Sequence, residues 1–156
     1  MSVAVVRVTT RAQLEDAWRV RFEVFVDEQG VPQDVEVDEH DTEATTSHVL
    51  ALDADGTALG TGRLLRDGPG EVHLGRLAVR RTARGRGIGA MLVTELSAIA
   101  LAAHAAGQPP AVRVALSAQE TAIGFYERLG FAVVDDEQRY LDAGIWHRDM
   151  ARTLPS

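Results

Sequence analysis

The stretch Leu77-Ala78-Val79-Arg80-Arg81-Thr82-Ala83-Arg84-Gly85-Arg86-Gly87-Ile88-Gly89-Ala90 decides how this chain is read. It opens as the apolar end of a strand and closes as the first turn of a helix, because Ile88, Leu92, Leu96, Ile99 and Ala103 recur at steps of four and three. Gly85, Gly87 and Gly89 lie across the change and let a ligand approach the backbone without a Cβ in its path. A helix start leaves amides without intrahelical partners and carries the positive end of the helix dipole, so residues 84–90 have the chemistry of a phosphate or diphosphate cradle. A structural turn is the other reading of the same glycines. Two common phosphate sites are excluded: the chain has no lysine for a Walker loop, and the spacing is not that of a dinucleotide-binding Gly-x-Gly-x-x-Gly.

Working outward, residues 71–79 read as the strand that feeds this turn, with Leu74, Leu77 and Val79 available for burial. Residues 47–52 and 59–65 read as a hairpin around Asp53-Ala54-Asp55-Gly56. Val3 to Val8 is a first strand by its β-branched content. Thr10, with Gln13 three residues on, predicts a capped helix carrying Leu14, Trp18, Arg21, Val24 and Phe25 and ending before Gly30. Downstream, the long helix is expected to end near Gly107. Residues 112–116 follow as a strand, and residues 120–129 as a short helix stopped by a left-handed Gly130. Strands over 131–134 and 144–150 complete a mixed α/β fold in one domain over residues 1–156.

The 156 residues carry a net charge of −7, which argues against a general nucleic-acid or anionic-membrane surface. There are no cysteines, so disulfides, thiolate metal sites and thiol intermediates are excluded. No apolar run approaches a membrane span and no signal-peptide pattern opens the chain, so a soluble cytoplasmic protein is expected. All 16 basic residues are arginines, and none lies between Arg21 and Arg63. That gap holds Asp27, Glu28, Asp34, Glu36, Asp38, Glu39, Asp41 and Glu43, either as a solvated loop or as a mouth that draws in a cationic substrate. The spacing of Asp38-Glu39-His40-Asp41 matches no calcium loop or zinc helix motif, so no metal is assigned. Arg76, Arg80, Arg81, Arg84 and Arg86 crowd the opposite sign around the glycine turn.

Leu77-Ala78-Val79 followed by Arg84-Gly85-Arg86-Gly87-Ile88-Gly89 resembles the coenzyme A motif of the GNAT superfamily of N-acetyltransferases, Arg/Gln-x-x-Gly-x-Gly/Ala. Ala122-Ile123-Gly124-Phe125-Tyr126-Glu127-Arg128-Leu129-Gly130-Phe131 resembles the closing motif of that superfamily. The stretch Val24-Phe25-Val26-Asp27-Glu28-Gln29-Gly30-Val31-Pro32, with Glu36, Asp38 and Asp41, and the segment Gly144-Ile145-Trp146-His147-Arg148-Asp149-Met150 are similar to the ElaA/YjcF-like subgroup. The resemblance spans nearly the whole chain.

It implies a mostly antiparallel mixed sheet that splays after Val79, with acetyl-CoA as cosubstrate. The backbone of Leu77, Ala78 and Val79 would meet the pantetheine, and the amides of Arg84, Gly85, Arg86, Gly87, Ile88, Gly89 and Ala90 the diphosphate. Tyr126 would protonate the departing thiolate, with Phe125 and Phe131 as packing groups. Gln119 stands where many members carry Asn and would contact the cofactor or a water. The acceptor would be an amine-bearing small molecule or peptide attacked directly, and a homodimer is a further implication. A general base is less sharply marked: Glu28, Asp38, His73 and His147 are its candidates, while His40, His48 and His104 read as surface or packing residues. Two alternatives stay open. One is a non-enzymatic acyl-CoA-binding module. The other is an acyl-homoserine-lactone-synthase-like acyltransferase, which Arg21, Phe25, Glu28, Glu36, Asp38 and Asp41 also resemble.

Overall fold

The computed structural model describes residues 2–31 and 38–155. Two compact units form: Met1–Leu65 with Leu74–Ile99, and Arg66–His73 with Ala100–Ser156. Among the described residues, no helix is long and apolar enough to cross a membrane.

In the first unit, β1 (Ala4–Arg7) leads to α1 (Arg11–Arg21), whose Thr10 and Gln13 form the expected reciprocal cap. The helix ends before Gly30, as expected, but not as a regular α-helix. Its last turns, Phe22–Glu28, are π-helical, and this wider winding is often found beside functional sites. Leu14, Ala17, Val20 and Val24 form the buried stripe, and Val20 and Val24 pack with Ala78. β2 (Ser47–Leu52) pairs antiparallel with β1 and with β3 (Ala58–Gly68), and Gly56 takes the left-handed conformation that closes the hairpin. β3 neighbours β4 (Glu71–Val79).

Gly60 and Gly62 on β3 are required by close packing. A Cβ at Gly62 would stand 2.7 Å from Leu96 Cδ1, and one at Gly60 would stand 3.0 Å from the Ala78 carbonyl oxygen. Leu96 belongs to α2 (Ile88–His104), whose Ile88, Leu92, Val93, Leu96 and Ile99 are buried. The helix ends three residues short of Gly107 because the chain turns there into an antiparallel bridge between Ala106 and Ala111.

In the second unit, β5 (Val112–Gln119) alternates buried Val112, Val114, Leu116 and Ala118 with more open residues, the period of a half-buried strand. It pairs antiparallel with β8 (Ile145–Leu154) along its length, and parallel with β4 only over Glu71 to His73. Residues 77–79 therefore lie beyond the last rung of that parallel ladder. α3 (Ile123–Arg128) follows a single 3-10 turn, Glu120–Ala122, and ends at Gly130 with φ +93°. The strand expected over 131–134 shrinks to β6, Ala132–Val133, while β8 runs four residues past Met150. A further short strand, β7 (Tyr140–Asp142), pairs with β8 and has no counterpart in the sequence reading. The fold is mixed α/β, with a largely antiparallel, partly parallel open sheet and flanking helices.

Candidate functional site

The glycine turn keeps an open cradle. Gly85 and Gly87 adopt φ of +81° and +75°, and among the described residues, chain neighbours aside, no atom lies within 4 Å of the place where a Cβ would stand on either. Ala83 and Ile88, both buried, pin the turn at its two ends. The first backbone bond into α2 runs from the Met91 amide to the Gly87 carbonyl at 3.2 Å, so the amides of Ile88, Gly89 and Ala90 face outward from the helix start. This arrangement fits an anionic group approached by backbone donors. The preceding strand carries its own distortion: Arg76, a non-glycine residue, sits at φ +50°, which costs about 1–3 kcal/mol and turns the strand just before Leu77. Of the three expected pantetheine contacts, Ala78 is buried, whereas Leu77 and Val79 are half-buried.

Around the turn, arginines and carboxylates are matched. Arg80 grips Glu23 through two bonds of 2.7 and 2.9 Å and also donates to the Ala58 carbonyl. Arg84 grips Glu28 through two bonds of 2.7 Å, and its Nε donates to the Val79 carbonyl at 3.1 Å. The hydrogen bonds from Arg84 hold the Glu28 carboxyl below its ordinary pKa, against partial burial that would raise it. Glu23, Asp27, Glu28, Arg80, Arg81 and Thr82 line a cavity of about 350 Å³. Arg86 is exposed and forms no ion pair among the described residues.

Within the acidic run the structure corrects the reading of Asp41 and, in part, of Asp38. The run's Asp34 and Glu36, like Pro32 of the quoted motif, lie outside the described residues. Asp41 does not line a mouth. Its side chain is 0% exposed and accepts hydrogen bonds from Arg21 at 2.8 and 3.1 Å, from Arg63 at 3.0 Å and from Trp18 Nε1 at 3.1 Å. Burial alone would raise its pKa, but the bonds and charges of Arg21 and Arg63 overcome that and bring it to about 2. Asp38 pairs with Arg63 at 2.8 Å and with Arg76 at 3.5 Å. The arginines that bound the basic-free gap thus close over Asp38 and Asp41, a pairing whose sequence signal was the gap itself. His48 packs beside them, with Nε2 2.9 Å from the Asp41 carbonyl.

In the second unit, Tyr126 is buried on α3 and meets Phe125 and Phe131 edge to face, with centroids 5.0 and 5.9 Å away. Burial pushes its phenol up to about 12, so it keeps its proton at neutral pH. Gln119, half-buried at the end of β5, stands opposite His147 on β8. His147 Nδ1 lies 2.7 Å from the Ile145 carbonyl, which can only accept, so Nδ1 carries a proton, and in the neutral ring Nε2 is left with the lone pair. Tyr140 of β7 stacks on that ring at 5.9 Å and donates from its hydroxyl to Asp149 at 2.7 Å, with Ser117 bonded to the same oxygen. Neither Tyr140 nor Ser117 was singled out from the sequence, because each stands alone in its segment and the pairing of β7 brings them together. His73 is exposed and bonded to Asp67.

Comparison with known proteins matches these features to one family. The model described as acetyltransferase (GNAT) domain covers residues 10–154. The N-acetyltransferase YjcF of Bacillus subtilis, itself uncharacterised, is 37% identical over 141 residues, which is 90% of this chain and 92% of that protein. The crystal structure of ElaA from Escherichia coli superposes with a TM-score of 0.82 at 27% identity, covering 97% of this chain and 99% of the other. An acyl-CoA N-acyltransferase from Pseudomonas aeruginosa gives 0.78 at 32% identity, covering 97% and 99%. By sequence along nearly its whole length, this chain belongs to the GNAT acetyltransferase family, whose chemistry is acyl-CoA-dependent acyl transfer.

Proposed function

We propose that the protein transfers an acetyl group from acetyl-CoA to a primary amine on a small molecule or peptide. The observation that carries this reading is the open glycine cradle at the start of α2, where outward amides and the helix dipole suit a diphosphate without any lysine. Acetyl-CoA, when bound, supplies an acetyl group activated as a thioester. The amides of Arg84, Gly85, Arg86, Gly87, Ile88, Gly89 and Ala90 hold its phosphates. The backbone of Leu77, Ala78 and Val79 holds the pantetheine arm, and an amide there polarises the thioester carbonyl. Gln119 adds a side-chain amide contact. Tyr126, protonated at neutral pH, delivers its proton to the departing sulfur.

An attacking amine must be neutral, so it needs a proton acceptor. Glu28, the carboxylate expected there, is engaged by Arg84 and is a weaker base for it. The lone pair on His147 Nε2 has the right chemistry for that task, with the ring held by Ile145 and Tyr140.

The test is calorimetry with acetyl-CoA, followed by mass analysis of reactions with a panel of primary amines. Gly87→Asp places a carboxylate in the cradle, and a like charge about 5 Å from phosphate at an effective dielectric near 20 costs about 3 kcal/mol. Acetyl-CoA affinity should therefore fall at least about tenfold while the variant stays folded by circular dichroism. Equal affinity would remove the cradle assignment. Stoichiometric binding with no acetylated amine would instead identify a binding module.

A further inference from the structure

We propose that Glu28 is a positioning residue for the donor cradle, acting through Arg84, and that the Arg84 side chain is a strut rather than a phosphate ligand. The inference rests on the acetyl-CoA reading above but concerns residues that the reading assigned differently.

The geometry of one guanidinium carries it. Arg84 directs Nη1 and Nη2 to the two oxygens of Glu28 at 2.7 Å each, and Nε to the Val79 carbonyl at 3.1 Å. Three of its five N–H groups are thus committed within the protein, in the fork-to-fork arrangement that fixes both position and orientation. The three points joined are the end of β4 at Val79, the π-helical end of α1 at Glu28, and the residue that opens the glycine turn. Gly85 and Gly87, directly after Arg84, both have positive φ and no packing around the Cβ position, so nothing in their own side chains restrains the turn. An external tether therefore matters more here than in an ordinary loop.

Both partners are partly shielded, with side chains 21% exposed for Glu28 and 42% for Arg84. Arg81 also faces Glu28, but at 3.8 Å and with a far more exposed side chain, so it adds charge without geometry. The bidentate pair keeps Glu28 ionised, as a strut requires. By holding the turn in place before a ligand arrives, the pair lowers the ordering cost of binding, which is how a residue that touches no ligand can set affinity.

The experiment is a double-mutant cycle read by calorimetry with CoA and, separately, by hydrogen exchange of the 85–90 amides in the free protein. Glu28→Ala and Arg84→Ala should each weaken CoA by a similar factor, about five- to tenfold. The double variant should be no weaker than either single one. Amide exchange over residues 85–90 should accelerate in both single variants, and Glu28→Gln, which keeps one oxygen acceptor, should lie between Glu28→Ala and the starting protein in both measurements. Tighter CoA binding by Glu28→Ala would mean that Glu28 competes with the ligand for Arg84 and would overturn the strut. A much larger loss for Arg84→Ala than for Glu28→Ala would make Arg84 a direct ligand and overturn it equally. If the starting protein bound no CoA, the functional reading would fall, while unchanged exchange in Glu28→Ala would still reject the strut on its own.

Discussion

Replacing Asp41 by Asn tests the most heavily bonded ion pair in the first unit. The carboxylate is fully enclosed, and Arg21 beside it is 1% exposed, so removing the negative charge takes a fully buried carboxylate partner from a buried guanidinium. Breaking such a pair from one side costs about 3–5 kcal/mol. The depressed pKa points the same way: a carboxyl whose pKa falls from 3.8 to about 2 on folding contributes about 2 kcal/mol at neutral pH. Asn retains one oxygen acceptor for Arg21 or Trp18, and Asp38 still neutralises Arg63, so a loss of about 3 kcal/mol is expected, near the lower end of the range. For a chain of this size that lowers the melting temperature by roughly 6–12 °C.

The pH dependence has a definite sign. Because the folded pKa is depressed, the native state holds fewer protons than the unfolded chain between about pH 2 and about pH 4. The stabilisation is complete above that window and is lost as pH falls through it, so the gap between starting protein and Asp41→Asn should narrow with acidification. Urea unfolding at about pH 7, about pH 4.5 and about pH 3 measures the gap directly. A loss below about 1 kcal/mol at neutral pH, the level of an exposed ion pair, would refute the reasoning. So would a gap that stays constant down to the lowest pH.

Two other substitutions probe different links. Tyr126→Phe keeps the edge-to-face packing with Phe125 and Phe131 while removing the phenolic proton; the acyl-transfer step in rapid-quench experiments should slow about tenfold or more with CoA affinity unchanged, and an unaltered step would end the acid assignment. Gly62→Ala drives a methyl to 2.7 Å from Leu96 Cδ1 in a filled core, so denaturant unfolding should show a loss of about 1–3 kcal/mol, and a neutral result would mean that Leu96 can move aside.

Local chemistry was legible in the sequence wherever neighbours along the chain determine it. The Thr10 cap, the Gly56 turn, the Gly130 stop and the periodicity of α2 all act within a few residues, and each is found as read. The π-helical end of α1 was not legible, since Val24 and Phe25 continue an ordinary helical spacing and the wider winding leaves no mark on it. The left-handed Arg76 was equally hidden, because glycine is the residue that advertises positive φ and here it stands one place earlier, at Gly75. β7 was too short to announce itself and exists by pairing with β8. In the candidate site, the glycine cradle could be located because it is contiguous. The partners of its charged residues could not: Glu28 and Arg84 are 56 positions apart, and Arg21, Asp41 and Arg63 meet across some twenty residues each. A run of eight carboxylates reads as a solvated loop or an electrostatic mouth until the arginines that close over part of it are placed.

The same ion pairs also limit what the basic cluster can contribute to anion binding. Five arginines between positions 76 and 86 suggest a strong positive field, yet four of them face carboxylates of the same unit: Arg76 with Asp38, Arg80 with Glu23, Arg84 with Glu28, and Arg81 more loosely with Glu28. The bidentate pairs of Arg80 with Glu23 and Arg84 with Glu28 look nearly neutral from a distance beyond the Debye length, about 10 Å at ordinary salt, whereas Arg81 shares Glu28 with Arg84 and keeps most of its charge, so the long-range attraction is smaller than five arginines suggest. What remains close to the cradle is the exposed Arg81, Arg86, which has no ion pair among the described residues, and the fixed dipoles of the turn and helix. Fixed amides are preorganised and carry no counter-charge to displace, whereas a paired arginine must first leave its carboxylate. On the proposed reading, then, the arginines would shape the cradle and the backbone would do most of the holding, a division of labour compatible with an anion site in a protein of net charge −7 with no lysine at all.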